Sequence, residues 1–238
     1  MRILVLQNDP ISPAGTVEER LRAAGAELEV IKPLHGDALP SEPDGYVGAI
    51  VLGGAMSAND DDKYPALAPM RQLLCDFHAA DKPLLGICLG SQILSRCFGG
   101  QVRPHTLVEF GYTPLTFTDE GRRDPLLAGL PNPQWIMQFH EDTFDVPPTG
   151  VQLMAGEACA NQAFRVGRAT YGFQCHFEAT AELVRHWSEV TRPYLDRKFG
   201  ARVPATLDQL HRDIPARAPA QRAFAETVTE RWLDLAKG

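Results

Sequence analysis

The chain has 238 residues, 44% of them hydrophobic and 22% charged, which is ordinary for a soluble globular protein and long enough for one large domain or two small ones. A formal net charge of −7 without a basic cluster argues against nucleic acid as a main partner, because phosphate binding needs a basic face; the Arg122-Arg123 pair reads as solvated. No apolar stretch reaches the roughly 20 residues of a membrane span, and "MRILVLQNDP" lacks the length and cleavage site of a signal peptide, so a cytoplasmic location and no membrane partner are expected. The five cysteines (Cys75, Cys88, Cys97, Cys159 and Cys175) are odd in number and scattered. They suggest no disulfide framework and, without a CxxC pair, no zinc site.

In chain order, "RILVLQ" predicts a first strand, broken by "PISPAG". In "TVEERLRAAG", Thr16 with Glu19 fits a capping box and Gly25 a C-terminal stop. "AELEVIKP" predicts a second strand. "GYVGAIVLGG" predicts a third, so uniformly apolar that it should be buried on both faces, as in a parallel sheet. Leu67, Met70, Leu74 and Phe77 form one helical stripe in "YPALAPMRQLLCDFHAAD". "PLLGIC" is a fourth strand, and "GSQILSRCFGG" a helix ended by Gly99-Gly100. Strand alternating with helix predicts an α/β domain.

From 101 to 174 the segments are short and turn-rich: "YTPLTFT", "QWIMQF", "VQLMAG", "QAFRVG" and "ATYGFQCHF". They predict further strands of the same domain, some antiparallel. The remainder reads as helical, in "ATAELVRHWSEV" and "AQRAFAETVTERWLDLAKG", with a stripe of Phe224, Val228, Trp232 and Leu235. The Pro/Ala-rich "ARVPATLDQLHRDIPARAPAQ" between them is expected to hold one short helix at most. The expected organisation is a domain over 1–190 with a helical extension over 191–238.

Gly86-Ile87-Cys88-Leu89-Gly90 is G-x-C-x-G at a strand-to-helix junction, the cysteine counterpart of a nucleophile elbow. Flanking glycines let a strained turn pass without side-chain clashes. The helix that follows aims its N-terminal N–H groups and positive dipole end at the sulfur, favouring thiolate. The Leu89 N–H is then placed for an oxyanion, and Gly53-Gly54, after the third strand, offers a second donor at Gly54. A buried structural cysteine is the alternative for Cys88, and the preferred reading for Cys75, Cys97 and Cys159.

A cysteine nucleophile needs a base and a group that orients it. Of the seven histidines, His78 and His186 fall in predicted helices, and His35, His105 and His211 lie in polar segments without partners. His176 lies in "YGFQCHFEAT" with Glu178 two residues on. In an extended segment both side chains point the same way, so the carboxylate can hold Nδ1–H and leave Nε2 for the sulfur.

G-x-C-x-G-x-Q from Gly86 to Gln92, the late His-x-Glu and the Gly53-Gly54 loop together resemble the class I glutamine amidotransferases. "VLGGAMSANDDDKYPAL", "EFGYTPL", "QFHEDTFDVPP" and "ACANQAFRVG" resemble the free-standing, GMP-synthase-like branch, and the resemblance covers roughly residues 1–180. It implies a flavodoxin-like, mostly parallel sheet with flanking helices and a Cys88-His176-Glu178 triad. Gly54 and Leu89 are implied as oxyanion donors, with Gly53, Gln92, Phe139 and His140 lining the glutamine site. The implied chemistry is hydrolysis of the glutamine side-chain amide through a γ-glutamyl thioester, with no metal or organic cofactor. Two departures stand out. The family's usual aromatic and proline around the triad histidine are here Cys175 and Phe177. Fewer than about 65 residues follow Glu178, too few for an ATP-pyrophosphatase domain, and there is no G-x-x-x-x-G-K-S/T loop, so GMP synthesis by this chain alone is not expected.

Three functions remain open on the sequence: an amidotransferase passing ammonia to an unknown acceptor or synthetase partner, a γ-glutamyl peptidase using the same triad, and a non-catalytic or redox-sensing relative. The C-terminal helices are compatible with covering the domain, forming a homodimer or docking a synthetase.

Overall fold

The computed structural model describes residues 1–237. Its first hundred residues run β1 (Arg2–Leu6), α1 (Gly15–Ala23), β2 (Glu27–Ile31), β3 (Gly48–Val51), α2 (Leu67–Ala79), β4 (Leu84–Ile87) and α3 (Leu89–Cys97). The alternation is incomplete, because β2 reaches β3 through a loop whose one helical turn is the 3-10 segment Pro33–His35. There follow β5 (Val102–Phe117), a short α4 (Asp119–Arg123), β6 (Gln134–Phe144), β7 (Gly150–Gly156), β8 (Ala163–Val166) and β9 (Thr170–Phe173). The chain ends in α5 (Ala181–Val190), α6 (Arg192–Phe199) and α7 (Val203–Lys237).

Among the described residues the strands form one nine-stranded sheet in the order β2-β1-β3-β4-β9-β8-β7-β5-β6. The run from β2 to β9 is parallel, and the run from β9 to β6 antiparallel. Successive residues of β1 and β3 enter opposite cores, which is why these strands are apolar throughout. Ile3, Val5 and Ile50 pack with Val17 and Leu21 of α1 and Phe224, Val228 and Trp232 of α7. Leu4, Leu6, Ala49 and Val51 pack with Leu67, Met70, Leu74 and Phe77 of α2 and Ile93 and Leu94 of α3. A third cluster places Met137 of β6 against Val184 and Trp187 of α5 and Leu210 and Ile214 of α7.

Two local expectations are corrected. Thr16 does not cap α1: the cap position is Ala14, no side chain caps it, and Thr16 is buried with its N–H donating to the Glu178 carbonyl at 2.9 Å. The helix end is satisfied by a distant loop instead of a capping box. The Pro/Ala-rich stretch is not a break, since α7 runs 35 residues through Pro215 and Pro219. These prolines sit four apart on the exposed side, and the two residues whose carbonyls lose their helical partners, His211 and Pro215, are themselves exposed. Leu210, Ile214, Gln221 and Phe224 bury the opposite side, and the Arg217 guanidinium stacks 3.8 Å from the Trp135 ring centre.

Trp232 lies against the backbone of Gly48, where an added Cβ would come within 3.1 Å of the indole. Truncating this fully buried ring leaves a cavity in the main core. Trp232→Ala should destabilise the whole domain by about 3–5 kcal/mol, seen as a lower urea midpoint; a separately melting C-terminal segment with an unchanged main transition would contradict this.

Candidate active site

Cys88 sits between β4 and α3 with φ +51° and ψ −111°, a backbone region that side chains other than glycine rarely enter. Close packing of α3 on the sheet imposes this turn. A Cβ on Gly90 would lie 1.9 Å from the Val51 carbonyl oxygen, and one on Gly86 would lie 2.6 Å from that of Gly90. Both glycines are therefore required by contact rather than by flexibility. The strained residue is pinned from both ends: its N–H donates to the Phe173 carbonyl at 2.7 Å, and its carbonyl accepts from the Ser91 hydroxyl at 2.7 Å.

His176 and Glu178 do not lie on a strand, because β9 ends at Phe173 and both residues occupy the turn beyond it. The geometry expected of an extended pair is still achieved, with His176 Nδ1 and Glu178 Oε1 2.7 Å apart and both side chains buried. Four contacts from distant elements hold this turn. The His176 N–H donates to the Met137 carbonyl at 2.8 Å, and the Glu178 carbonyl accepts from Thr16 at 2.9 Å. Gln221 of α7 accepts from the Met137 N–H at 2.8 Å and donates to the Ala179 carbonyl at 2.7 Å. Gly15 gives α1 its approach, since a Cβ there would stand 2.2 Å from the Glu178 oxygen.

The carboxyl ends of β3, β4 and β9, adjacent in the sheet, thus bring the 53–54 loop, Cys88 and His176 together. A Cβ placed on Gly53 would sit 3.0 Å from His176 Cε1 and 3.5 Å from Cys88 Cβ. Burial disfavours the His176 imidazolium, but the negative charge of Glu178 and the Cys88 sulfur nearby outweigh it and raise its pKa well above the usual histidine value. Burial, with the nearby Glu178 charge adding to it, pushes the Cys175 thiol far up, and Cys175 sits in the main core, as a small structural residue does.

These groups open onto a cavity of about 910 Å³ lined by Gly54, Cys88, Gln92, Phe139, His140 and His176 among others. Gly54 lies beside Leu89, where its Cβ would be 3.0 Å from the leucine side chain. Gln92 spends its amide on the Asp142 carbonyl at 3.3 Å and on Gln174 Oε1 at 3.1 Å. Phe139 presents its carbonyl 3.7 Å from Cys88 Sγ. The His140 ring, 1% exposed, is turned to Glu109 Oε2 at 3.0 Å and to the Asp142 carbonyl at 3.0 Å.

Several site residues escaped the sequence reading. Trp187 stacks edge-on against His176, with ring centres 4.8 Å apart, and donates to the Ile11 carbonyl at 2.6 Å. Gln174 Nε2 lies 3.8 Å from Cys88 Sγ. Tyr194 borders the cavity from α6. Gln221 left one trace in the sequence: it extends the stripe of Phe224, Val228 and Trp232 by one turn, a polar residue at a core position.

The family model for the class I glutamine amidotransferases matches residues 12–186, and the chain belongs to that family. It is 29% identical over 187 residues to the glutamine amidotransferase-like protein YfeJ of Salmonella typhimurium, covering 77% of this chain and 78% of that one. It is 36% identical over 143 residues to a glutamine-hydrolysing GMP synthase of Porphyromonas gingivalis, covering 59% of this chain but 26% of that protein. The crystal structure of a glutamine amidotransferase from Methylobacillus flagellatus superposes with a TM-score of 0.88 at 29% identity, covering 99% of this chain and 94% of that one. Among the described residues no helix is long and apolar enough to cross a membrane.

Gly90→Ala should cost about 1–3 kcal/mol or more, because a backbone carbonyl blocks the new methyl; an unchanged urea midpoint would contradict the contact. Gln221→Leu leaves two buried backbone groups unpaired and should cost about 1–3 kcal/mol for each, with Gln221→Glu a milder loss in the same unfolding assay.

Proposed function

We propose that this chain hydrolyses the side-chain amide of L-glutamine, with Cys88 as nucleophile, His176 as general base and acid, and Glu178 as the group that orients and charges the imidazole. The observation that carries this is the convergence of a strained elbow cysteine and a buried His176–Glu178 pair, 2.7 Å apart, on one cavity. His176 takes the Cys88 proton, and the thiolate attacks the carboxamide carbon. The oxyanion is held by the N–H groups of Gly54 and Leu89. As the intermediate collapses, the C–N bond breaks, and the imidazolium gives its proton to the departing nitrogen, releasing ammonia. Water, deprotonated by His176, attacks the γ-glutamyl thioester; glutamate leaves and the thiol is restored.

The resemblance to a glutamine-hydrolysing GMP synthase supports a synthetase partner as consumer of the ammonia. The size of the cavity favours a second reading. At about 910 Å³ it lies near the top of the ~300–1,000 Å³ range of pockets that hold drug-sized ligands. Free glutamine leaves much of it empty, whereas a γ-glutamyl peptide, cleaved through the same thioester, has a leaving group to fill it, and Val190, Pro193 and Tyr194 supply apolar lining for one.

Glutamate release from glutamine and from a γ-glutamyl dipeptide, with Cys88→Ala as blank, tests both readings. Turnover of glutamine that disappears in the variant supports the amidase; turnover of the dipeptide alone transfers the protein to the peptidases; no release from either contradicts both.

Loss of the imidazolium proton sets the alkaline limb of the rate profile. Because the Glu178 charge helps raise that pKa, Glu178→Gln should move the limb to lower pH and reduce kcat by about 10²–10⁴-fold. A reduced kcat with an unmoved limb would assign Glu178 a purely structural role.

A further inference from the structure

Behind the wall of this cavity, and sharing His140 with it, lies a buried cluster that the proposed chemistry does not use. Glu109 of β5 and His140 of β6 face each other directly across the strand pair, at the end of a register irregularity. Cys159, in the loop between β7 and β8, completes the group. One ligand atom from each of the three residues lies within 4.8 Å of the others, and all three residues are buried.

Three features distinguish this cluster from an ordinary polar contact. His140 Nδ1 lies 3.0 Å from the Asp142 carbonyl, which can only accept, so in the neutral ring the proton sits on Nδ1 and the electron pair of Nε2 faces Glu109 Oε2, 3.0 Å away. That Nε2 makes no well-formed hydrogen bond, although its side chain is 1% exposed. Two electron-rich atoms at this separation, away from water, call for a cation that both can bond; a proton serves the pair alone, and the Cys159 sulfur beside them supplies the third donor of a metal site. The Glu109 carboxylate is itself oriented by Gln162 Nε2 at 3.2 Å, and Cys159 Sγ lies 3.2 Å from Thr143 Oγ1. A ligand imidazole fixed through its other nitrogen and a carboxylate fixed by an amide are what surround bound metals.

We propose that Glu109, His140 and Cys159 form a structural site for a divalent transition metal, zinc by the chemistry of its donors. One carboxylate, one imidazole and one thiolate suit the borderline-soft zinc ion, with a fourth position left for water. Closing the donors to bonds of ~2.0–2.3 Å needs side-chain movement of about 1 Å. On binding, the Cys159 thiol releases its proton to solvent and the Cys159 sulfur bonds the metal. The metal ties β5, β6 and the β7–β8 loop together one residue behind Phe139, whose carbonyl faces Cys88. Its place is the support of the cavity wall, not the reaction. The donors stand at positions 109, 140 and 159, so no short spacing announces them.

The test uses the full chain in a Cys88→Ala background, so that the elbow thiol cannot bind metal. Protein stripped with a chelator, reloaded with zinc and dialysed should hold about one zinc per chain, and Cys159→Ser and His140→Gln should hold less than about a tenth of that. Cobalt in place of zinc should give the thiolate charge-transfer band and the intense visible bands of four-coordination, both lost in Cys159→Ser. Melting in chelator separates folding from binding: the variants should match the stripped parent there and gain no thermal shift from zinc. Less than about a tenth of a zinc per chain in the reloaded parent, equal zinc in parent and variants, or a cobalt spectrum without sulfur would each overturn the site.

Discussion

The contact on which the rest of the structure depends is the approach of α3 to β3. Gly90 lets the helix backbone come so near the Val51 carbonyl that no side chain fits between them. With α3 pressed onto the sheet at that point, the residue joining it to β4 must turn within one peptide, and Cys88 is forced to a positive φ. The turn lifts the sulfur above the carboxyl edge of the sheet and leaves the first N–H groups of α3 free toward the cavity. Strain of about 1–3 kcal/mol is sustained because Phe173 and Ser91 bond both polar groups of the strained residue.

The other half of the site is built differently. His176 and Glu178 sit in a turn with no secondary structure of its own, and order comes from elements far away in sequence. The amino end of α1 holds Glu178, β6 holds His176, and Gln221 of α7 holds both β6 and Ala179. The long C-terminal helix is therefore joined to the site as well as to the core. Its lower half buries Phe224, Val228 and Trp232 against the sheet, and its middle positions the turn that carries the imidazole.

Much of this was legible in the sequence. Unbroken apolar runs identified β3 and β4 because a doubly covered parallel strand has no polar face, and the stripe of Leu67, Met70, Leu74 and Phe77 identified α2 because its period is helical. The elbow was readable because its glycines answer a steric demand. The His176–Glu178 pairing was anticipated from a strand that proved to be a turn, since a spacing of two brings side chains together in both. The passage of α7 through Pro215 and Pro219 was not legible. Local propensity opposes it, and the packing of Ile214 and Leu210 that overrides propensity is known from the tertiary structure alone. Trp187 and Gln174 were hidden for a similar reason: a tryptophan in an amphipathic helix and a glutamine in an apolar run look the same whether they face a core or a site.

The central claim, that Cys88 is the activated nucleophile of a glutamine site, is tested most directly by covalent trapping. The protein carries five free cysteines. A diazoketone analogue of glutamine, followed by intact-mass analysis and peptide mapping, should place one adduct per chain on Cys88, with free glutamine slowing its formation and Glu178→Gln slowing it further. Labelling spread over Cys75 and Cys97 at a rate indifferent to glutamine, with Cys88 unmodified, would contradict the account.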